Sequence, residues 1–203
     1  MIAIIDYDIG NIASVNNMFR WLGVESQITN DPDVITRADK IVLPGNGSFD
    51  ACMINLRQSG LIPILEQQVL HSSIPLLGIC VGAQILGNSS EEGEEPGLGW
   101  IDMTVNRFPA KTNLRVPHMG WNRVCLKQLN HPLGRWVSDD ARFYFVHSYY
   151  MKPRNPEDDF LGAHYGIDFA AGVAKGCITG VQFHPEKSHR FGKQLFSAFA
   201  EMS

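Results

Sequence analysis

The chain has 203 residues, 44% of them hydrophobic and 19% charged, with a net charge of −4. That is enough chain for one domain spanning residues 1–203 to bury a core without disulfides or metals, and it lacks the basic excess that nucleic acid or an anionic membrane would select. The start, Met1-Ile2-Ala3-Ile4-Ile5-Asp6, has no basic region or small-residue cleavage site, and no apolar stretch is long enough to span a bilayer, so a cytoplasmic location is expected.

In chain order, residues 2–5 form a fully apolar run that predicts a strand, and residues 6–11 a turn. Ile12, Val15, Phe19 and Leu22 then recur at helical spacing. Residues 24–28 and 39–43 predict the second and third strands, the third running into Pro44-Gly45-Asn46-Gly47-Ser48, with helices over 49–57 and 62–70. Pro75-Leu76-Leu77-Gly78-Ile79 is the run a buried parallel strand makes, and residues 82–86 open a helix. This alternation argues for a parallel sheet covered on both faces, with active chemistry at the C-terminal strand ends. After Leu86 the character changes. Residues 87–99 are rich in glycine and acid, followed by β-like pieces near 100–108 and 123–126, a strand at 143–146, a hairpin over 160–174, a strand at 178–183 and a last helix over 188–201.

Cys80 stands on the turn between the 75–79 strand and its helix. Gly-Ile-Cys-Val-Gly has the form of a nucleophile elbow, in which glycines two positions either side let strand and helix approach closely. The positive end of the following helix would favour thiolate over thiol. Cys52, Cys125 and Cys177 are widely spaced, with no Cys-x-x-Cys. They read as small buried hydrophobes, not as metal ligands or disulfide partners. A thiolate nucleophile needs a histidine to carry its proton, and among seven histidines His184 has the best setting. If the chain stays extended through Pro185, His184 and Glu186 share a face, and the carboxylate can hold the imidazole in one tautomer.

GICVG with Gln84, together with GVQFHPEKS, resembles the class I glutamine amidotransferases, and their triad maps onto Cys80, His184 and Glu186. Within that class DYDIGNI, LPGNGSF, SSEEGEEPGLGW, VPHMGWN, FVHSYY and HPEKS are similar to the glutaminase subunits of imidazole glycerol phosphate synthases, over nearly the whole chain. The resemblance implies a flavodoxin-like, mainly parallel α/β/α sheet with an added antiparallel portion, and hydrolysis of glutamine to glutamate and ammonia without metal or cofactor. Backbone amides of Val81 and of Gly45, Asn46 and Gly47 are the expected oxyanion hole, and Gln84, Glu92, Ser148 and Tyr149 match positions that hold the substrate's amino-acid end. The family delivers ammonia to a TIM-barrel cyclase subunit as a heterodimer, with Gly10, Asn11, Ile12, Trp121, Asn122, Tyr144 and Lys187 at the matching interface positions. For Trp121 and Tyr144 the residue type alone favours core packing.

The sequence departs from the family pattern in several places. Val81 and Ala83 replace leucine and methionine, Asp8 a common glycine, and Asn46 a valine in the expected oxyanion strand. Competing readings are the same half-reaction feeding another acceptor, such as one in surface-polysaccharide synthesis, a catalytically silent flavodoxin-like module, and another kind of cysteine hydrolase. The glycine loop lacks a Gly-Lys-Ser/Thr ending, so no ATP site is expected.

Overall fold

The structure is a computed structural model that describes residues 1–110, 114–128 and 130–202. In chain order the first half contains β1 (Ile2–Ile5), α1 (Ile12–Trp21), β2 (Ser26–Thr29), α2 (Pro32–Thr36), β3 (Lys40–Gly45), α3 (Phe49–Gln58), α4 (Ile62–Glu66), β4 (Leu76–Cys80) and α5 (Val81–Gln84). The second half contains β5 (Ser89–Ser90), β6 (Met103–Arg107), β7 (His118–Arg123), β8 (Cys125–Leu126), β9 (Arg142–His147), β10 (Tyr149–Pro153), β11 (Asp159–Tyr165), β12 (Ile167–Lys175), β13 (Ile178–Val181) and α6 (His189–Ala200). No helix among the described residues is long and apolar enough to cross a membrane.

β2, β1, β3, β4 and β13 lie side by side and parallel, and β12, β10 and β6 continue the sheet antiparallel, with β5 beyond them. Every residue of β1, β4 and β13 is buried, as strands covered on both faces require, Thr179 of β13 included. Right-handed crossovers dictate which helix covers which face. The β1–β2 step runs one way along the sheet, while the β2–β3 and β3–β4 steps run the other way. α1 therefore lies opposite α2, α3 and α4. The packing agrees: α1 meets α6, with Phe19 and Phe196 ring centroids 4.8 Å apart, whereas α2 meets α4 and α3 meets α5. β7 and β9 form a separate antiparallel pair, joined to the large sheet by a bridge between Tyr144 and His184.

The single turn α5 is pressed onto the ends of β3, β4 and β13 with backbone against backbone. A Cβ on Gly82 would come 2.1 Å from the Leu43 carbonyl oxygen, one on Gly45 2.0 Å from the Gly82 nitrogen, and one on Gly78 2.8 Å from the Ala83 Cα. These glycines are dictated by contact and not by φ, because none of the three has a positive φ.

Several elements differ from the sequence expectation. β2 starts two residues later than expected, because Val24 and Glu25 complete the exit from α1, with Val24 N–H donating to the Phe19 carbonyl. The expected helix over 62–70 is α4 followed by a wider π turn, Gln67–His71. β7 and β10 carry Gly, Asn, Lys and Pro and have no apolar alternation, so pattern alone passes over them; pairing with β9 and β6 makes them strands. Cys52 is buried, as expected of a small hydrophobe, but Cys125 is exposed and Cys177 half-buried. Cys125 lies on the two-residue β8, which among the described residues pairs with β11 alone, at the margin of the sheet.

Gly82→Ala should cost more than about 3 kcal/mol in urea denaturation, because backbone cannot yield as a side chain does. Gly176→Ala, at φ 59° with open space around it, should cost only about 1–2 kcal/mol. Equal losses for the two would show that α5 is not seated by close contact.

Candidate active site

Cys80 ends β4 at φ 55° and ψ −115°, a conformation rare for a residue with a side chain, and is 4% exposed. The register pairs it with Gly45, the last residue of β3, so Gly45 is strand and not loop. The helix that follows is one turn long, shorter than expected, and its dipole is correspondingly small. The charge partner of the sulfur is His184. Burial alone would lower the pKa of that imidazole, but hydrogen bonds to Cys80 and Glu186 outweigh it and raise the value to about 10.

His184 is fixed from several directions. Its N–H donates to the Tyr144 carbonyl at 2.9 Å, and its own carbonyl accepts from the Ser188 hydroxyl at 2.6 Å. The Ser188 oxygen in turn accepts from the Tyr144 N–H at 3.0 Å. His184 Nδ1 lies 2.8 Å from Glu186 Oε1, although Pro185–Lys187 is a 3₁₀ turn and not the extended chain the sequence argument assumed. The tight turn brings the two side chains together as an extended strand would have. Among the described residues Glu186 Oε2 is buried without a hydrogen-bond partner, and Oε1 meets the imidazole.

A cavity of about 280 Å³ opens over Cys80, and Asn46, Gly47, Val81, Gln84, Glu92, Ser148, Tyr149 and His184 line it. Pro117, Val146 and His147 also line it; they stand inside the VPHMGWN and FVHSYY blocks, but the sequence argument gives them no place in the cavity wall. Their neighbours Trp121 and Ser148 carried the expectation, and nothing in an isolated Pro, Val or His marks a cavity wall. Glu92 Oε2 accepts from the Phe49 N–H at 2.8 Å, which ties Glu92 to the first turn of α3. Asp50 ties the acidic loop to α3 by accepting from the Glu94 and Glu95 amides at 3.1 and 3.0 Å.

Hydrogen bonds fix the end of β3 and the loop that follows it. The Tyr7 hydroxyl donates to the Pro44 carbonyl, the Cys52 thiol donates to the Asn46 carbonyl at 3.5 Å, and the Gly47 N–H donates to Asn46 Oδ1 at 2.8 Å. Burial raises the Cys52 pKa to about 11, so this thiol keeps the proton it donates. Asp8 sits at φ 63°, the backbone state a glycine adopts freely and an aspartate tolerates, which is why glycine can be exchanged for it there.

The expected interface positions are at the surface. Trp121 is 46% exposed, and its ring meets Tyr144 at 6.2 Å and stacks on His189 at 5.7 Å, so core packing is not its role. Lys187 is exposed on the turn that carries Glu186, and Asn122 is half-buried on β7. Gly10, at φ 105°, packs on Pro44, and Asn11 precedes Ile12 at the start of α1 without a side-chain cap.

Burial holds His118 down to about 4 and, chiefly by the same cause, His147 to about 3. Both are neutral when folded, whereas the unfolded chain takes up protons below about pH 6.5. Their contribution to stability is therefore complete above that pH and is lost as pH falls towards 4 and 3. His184 has the opposite sign: its contribution is complete below about pH 6.5 and is lost as pH rises through about 10. NMR titration should find His184 charged at pH 8 and His118 and His147 neutral at pH 5. A neutral His184 at pH 8 would remove the ion pair from the site.

A model of the family described as glutamine amidotransferase class-I matches residues 3–202. The chain is 51% identical to imidazole glycerol phosphate synthase subunit HisH 2 of Pseudomonas aeruginosa, and 45% identical to a protein of the same name from Methanococcus maripaludis, with both chains fully covered in each case. Among solved structures, PurLQS from Thermotoga maritima superposes with a TM-score of 0.75 at 16% identity, covering 98% of this chain and 96% of that one. A structure described as glutamine amidotransferase gives 0.72 at 20% identity, covering 98% and 97%; at such identities the likeness concerns the fold alone. With a match that runs from the first strand to the last helix, the chain belongs to the class I glutamine amidotransferase family.

Proposed function

We propose that this chain hydrolyses glutamine and passes the ammonia to an imidazole glycerol phosphate synthase cyclase subunit, in histidine biosynthesis. One observation carries the reading: a cysteine on a strained elbow shares a cavity with an imidazolium whose other nitrogen is held by a buried carboxylate. The full-length likeness to synthase subunits favours that acceptor over another. A silent binding module would have no use for the buried Glu186 charge.

In this reading the Cys80 thiolate attacks the side-chain carbonyl carbon of glutamine, and the carbonyl electron pair moves onto oxygen. The His184 imidazolium gives its proton to the departing nitrogen, so the C–N bond breaks and neutral ammonia leaves a thioester. His184 then takes a proton from water as the water attacks the thioester. Collapse of the second intermediate breaks the C–S bond and releases glutamate. Glu186 keeps Nδ1 protonated throughout, so that Nε2 does the proton transfer. Gln84, Glu92, Ser148 and Tyr149 receive the amino-acid end, with Glu92 opposite the ammonium group. Ammonia in water is mostly protonated and not nucleophilic, so direct delivery to a docked TIM-barrel partner preserves its reactivity. We assign the docking face to Gly10, Asn11, Ile12, Trp121, Asn122, Tyr144 and Lys187, as one heterodimer.

Cys80→Ala should abolish glutamate release while leaving the fold and partner binding intact. His184→Ala should be comparably severe, and Glu186→Gln should retain partial activity because the base survives. A Cys80→Ala chain with normal turnover would end the nucleophile assignment.

The backbone amides of Val81, of Gly45 at the end of β3 and of Asn46 and Gly47 beyond it are the proposed oxyanion donors, and the Gly47 amide is engaged by the Asn46 side chain. The isolated chain is thus short of one donor, which is worth roughly 10²- to 10³-fold in turnover. Glutamate release should be slow for the chain alone and rise strongly with a cyclase subunit carrying its acceptor ligand. Asn46→Ala should raise the partner-free rate and narrow that gap. Equal rates with and without partner would rule out the activation, and an unchanged partner-free rate in Asn46→Ala would clear the side chain of blame.

A further inference from the structure

Two runs of hydrogen bonds meet at the Tyr149 carbonyl, one from Asn122 on β7 through His118 and His147, the other from Gln84, with Gln182 and the sulfur of Cys80 beyond it. At the outer end, Asn122 Oδ1 accepts from the Arg123 N–H at 2.8 Å and Nδ2 donates to the His164 carbonyl at 2.8 Å, so its amide has one orientation. Nδ2 also lies 3.3 Å from His118 Nε2, which must therefore accept. A neutral His118 then carries its proton on Nδ1, which is 2.8 Å from His147 Nε2.

The inner end gives the same assignment independently. The Tyr149 carbonyl can only accept, and His147 Nδ1 is 2.8 Å from it, so His147 holds its proton on Nδ1 and accepts on Nε2. Gln84 Nε2 donates to that carbonyl too, at 3.1 Å, and to Gln182 Oε1 at 3.0 Å. With its oxygen committed, Gln182 must turn its amide hydrogens to the other side, where Nε2 lies 4.0 Å from Cys80 Sγ. Gln182 has no exposed surface, and Gln84, His118 and His147 are each buried, where such bonds are electrostatically stronger than in water.

We propose that Gln182 is a positioning residue for the Cys80 sulfur, and that its orientation is set by the Tyr149 carbonyl through Gln84. The N–H aimed at the sulfur stabilises negative charge there and restricts its rotamer. A reversal of the Gln182 amide would present its oxygen to the sulfur, two electron-rich atoms facing one another. His147 fastens the same carbonyl from the other side, and His118 behind it is clamped by stacking between Phe145 and Tyr165, at 4.9 and 4.0 Å between centroids. The proposal rests on the reading of Cys80 as nucleophile.

The test is the rate at which iodoacetamide alkylates Cys80 in the full chain, followed by mass spectrometry of the Cys80 peptide. Alkylation reads the sulfur directly, so the result stands apart from whether glutamine is the substrate. Gln182→Met and Gln84→Met each keep the length and remove the amide. Gln182→Met should slow alkylation by roughly 2- to 30-fold, and Gln84→Met should slow it less. The double variant should be no slower than Gln182→Met alone, because both act through one donor. In glutamine turnover by the complex, Gln182→Met should lower kcat with KM held, whereas merely loosened packing would lower the melting temperature without that split. Should Gln84→Met fail to fold, Gln84→Ala removes the same donor and carries the same expectation. Unchanged alkylation in folded Gln182→Met or in the folded Gln84 variant, or losses that multiply in the double variant, would overturn the proposal.

Discussion

The contact on which the site depends is between main chain and main chain: the turn after β4 lies directly on the end of β3, with Gly82 against the Leu43 carbonyl and Gly45 against the Gly82 nitrogen. Such proximity leaves no side chain between nucleophile and neighbouring loop. Cys80 and the 45–47 segment are therefore held by the same few ångströms of packing, and β13 on the other side of β4 delivers His184 to the same end. The backbone strain at Cys80 persists because both parallel neighbours and α5 over-determine it.

Local interactions and long-range pairing divide the legibility of the sequence. The parallel half is visible because its strands are covered on both faces and read as apolar runs, and because glycines bracket Cys80. The resemblance blocks carry the triad and the cavity wall as far as Gln84, Glu92, Ser148 and Tyr149. β7 and β10 are invisible to pattern because pairing, with β9 for the one and with β12 and β6 for the other, makes them strands without an apolar alternation of their own. His147 and Gln182 stand inside recognisable blocks, yet their roles come from partners 29 and 98 residues away in sequence, which no local spacing displays. The His184–Glu186 pairing is a case of a sound conclusion reached through the wrong local geometry, since the 3₁₀ turn at Pro185 and an extended chain both bring residues i and i+2 to the imidazole.

The distribution of charge in the site follows from burial. His118 and His147 sit among aromatic rings, Phe108, Phe145, Tyr165 and Phe169, and stay neutral, which is the state a one-way hydrogen-bond sequence needs. His184, a few ångströms of packing away, is charged because a sulfur and a carboxylate flank it. Three histidines of one cavity region thus hold two protonation states across neutral pH. Coulombic repulsion from His184 contributes to keeping His147 neutral.

Cys52 shows a further consequence of the same packing. Its thiol is sealed under α3 and donates to the Asn46 carbonyl, beside a cavity built to present a reactive sulfur. A proton retained up to about pH 11 makes it a poor nucleophile. The protein can therefore keep two sulfurs against one short loop without confusing their trades: electrophiles entering the cavity meet one as a reagent, while the other remains a tether that ties the loop's carbonyl to the body of the fold.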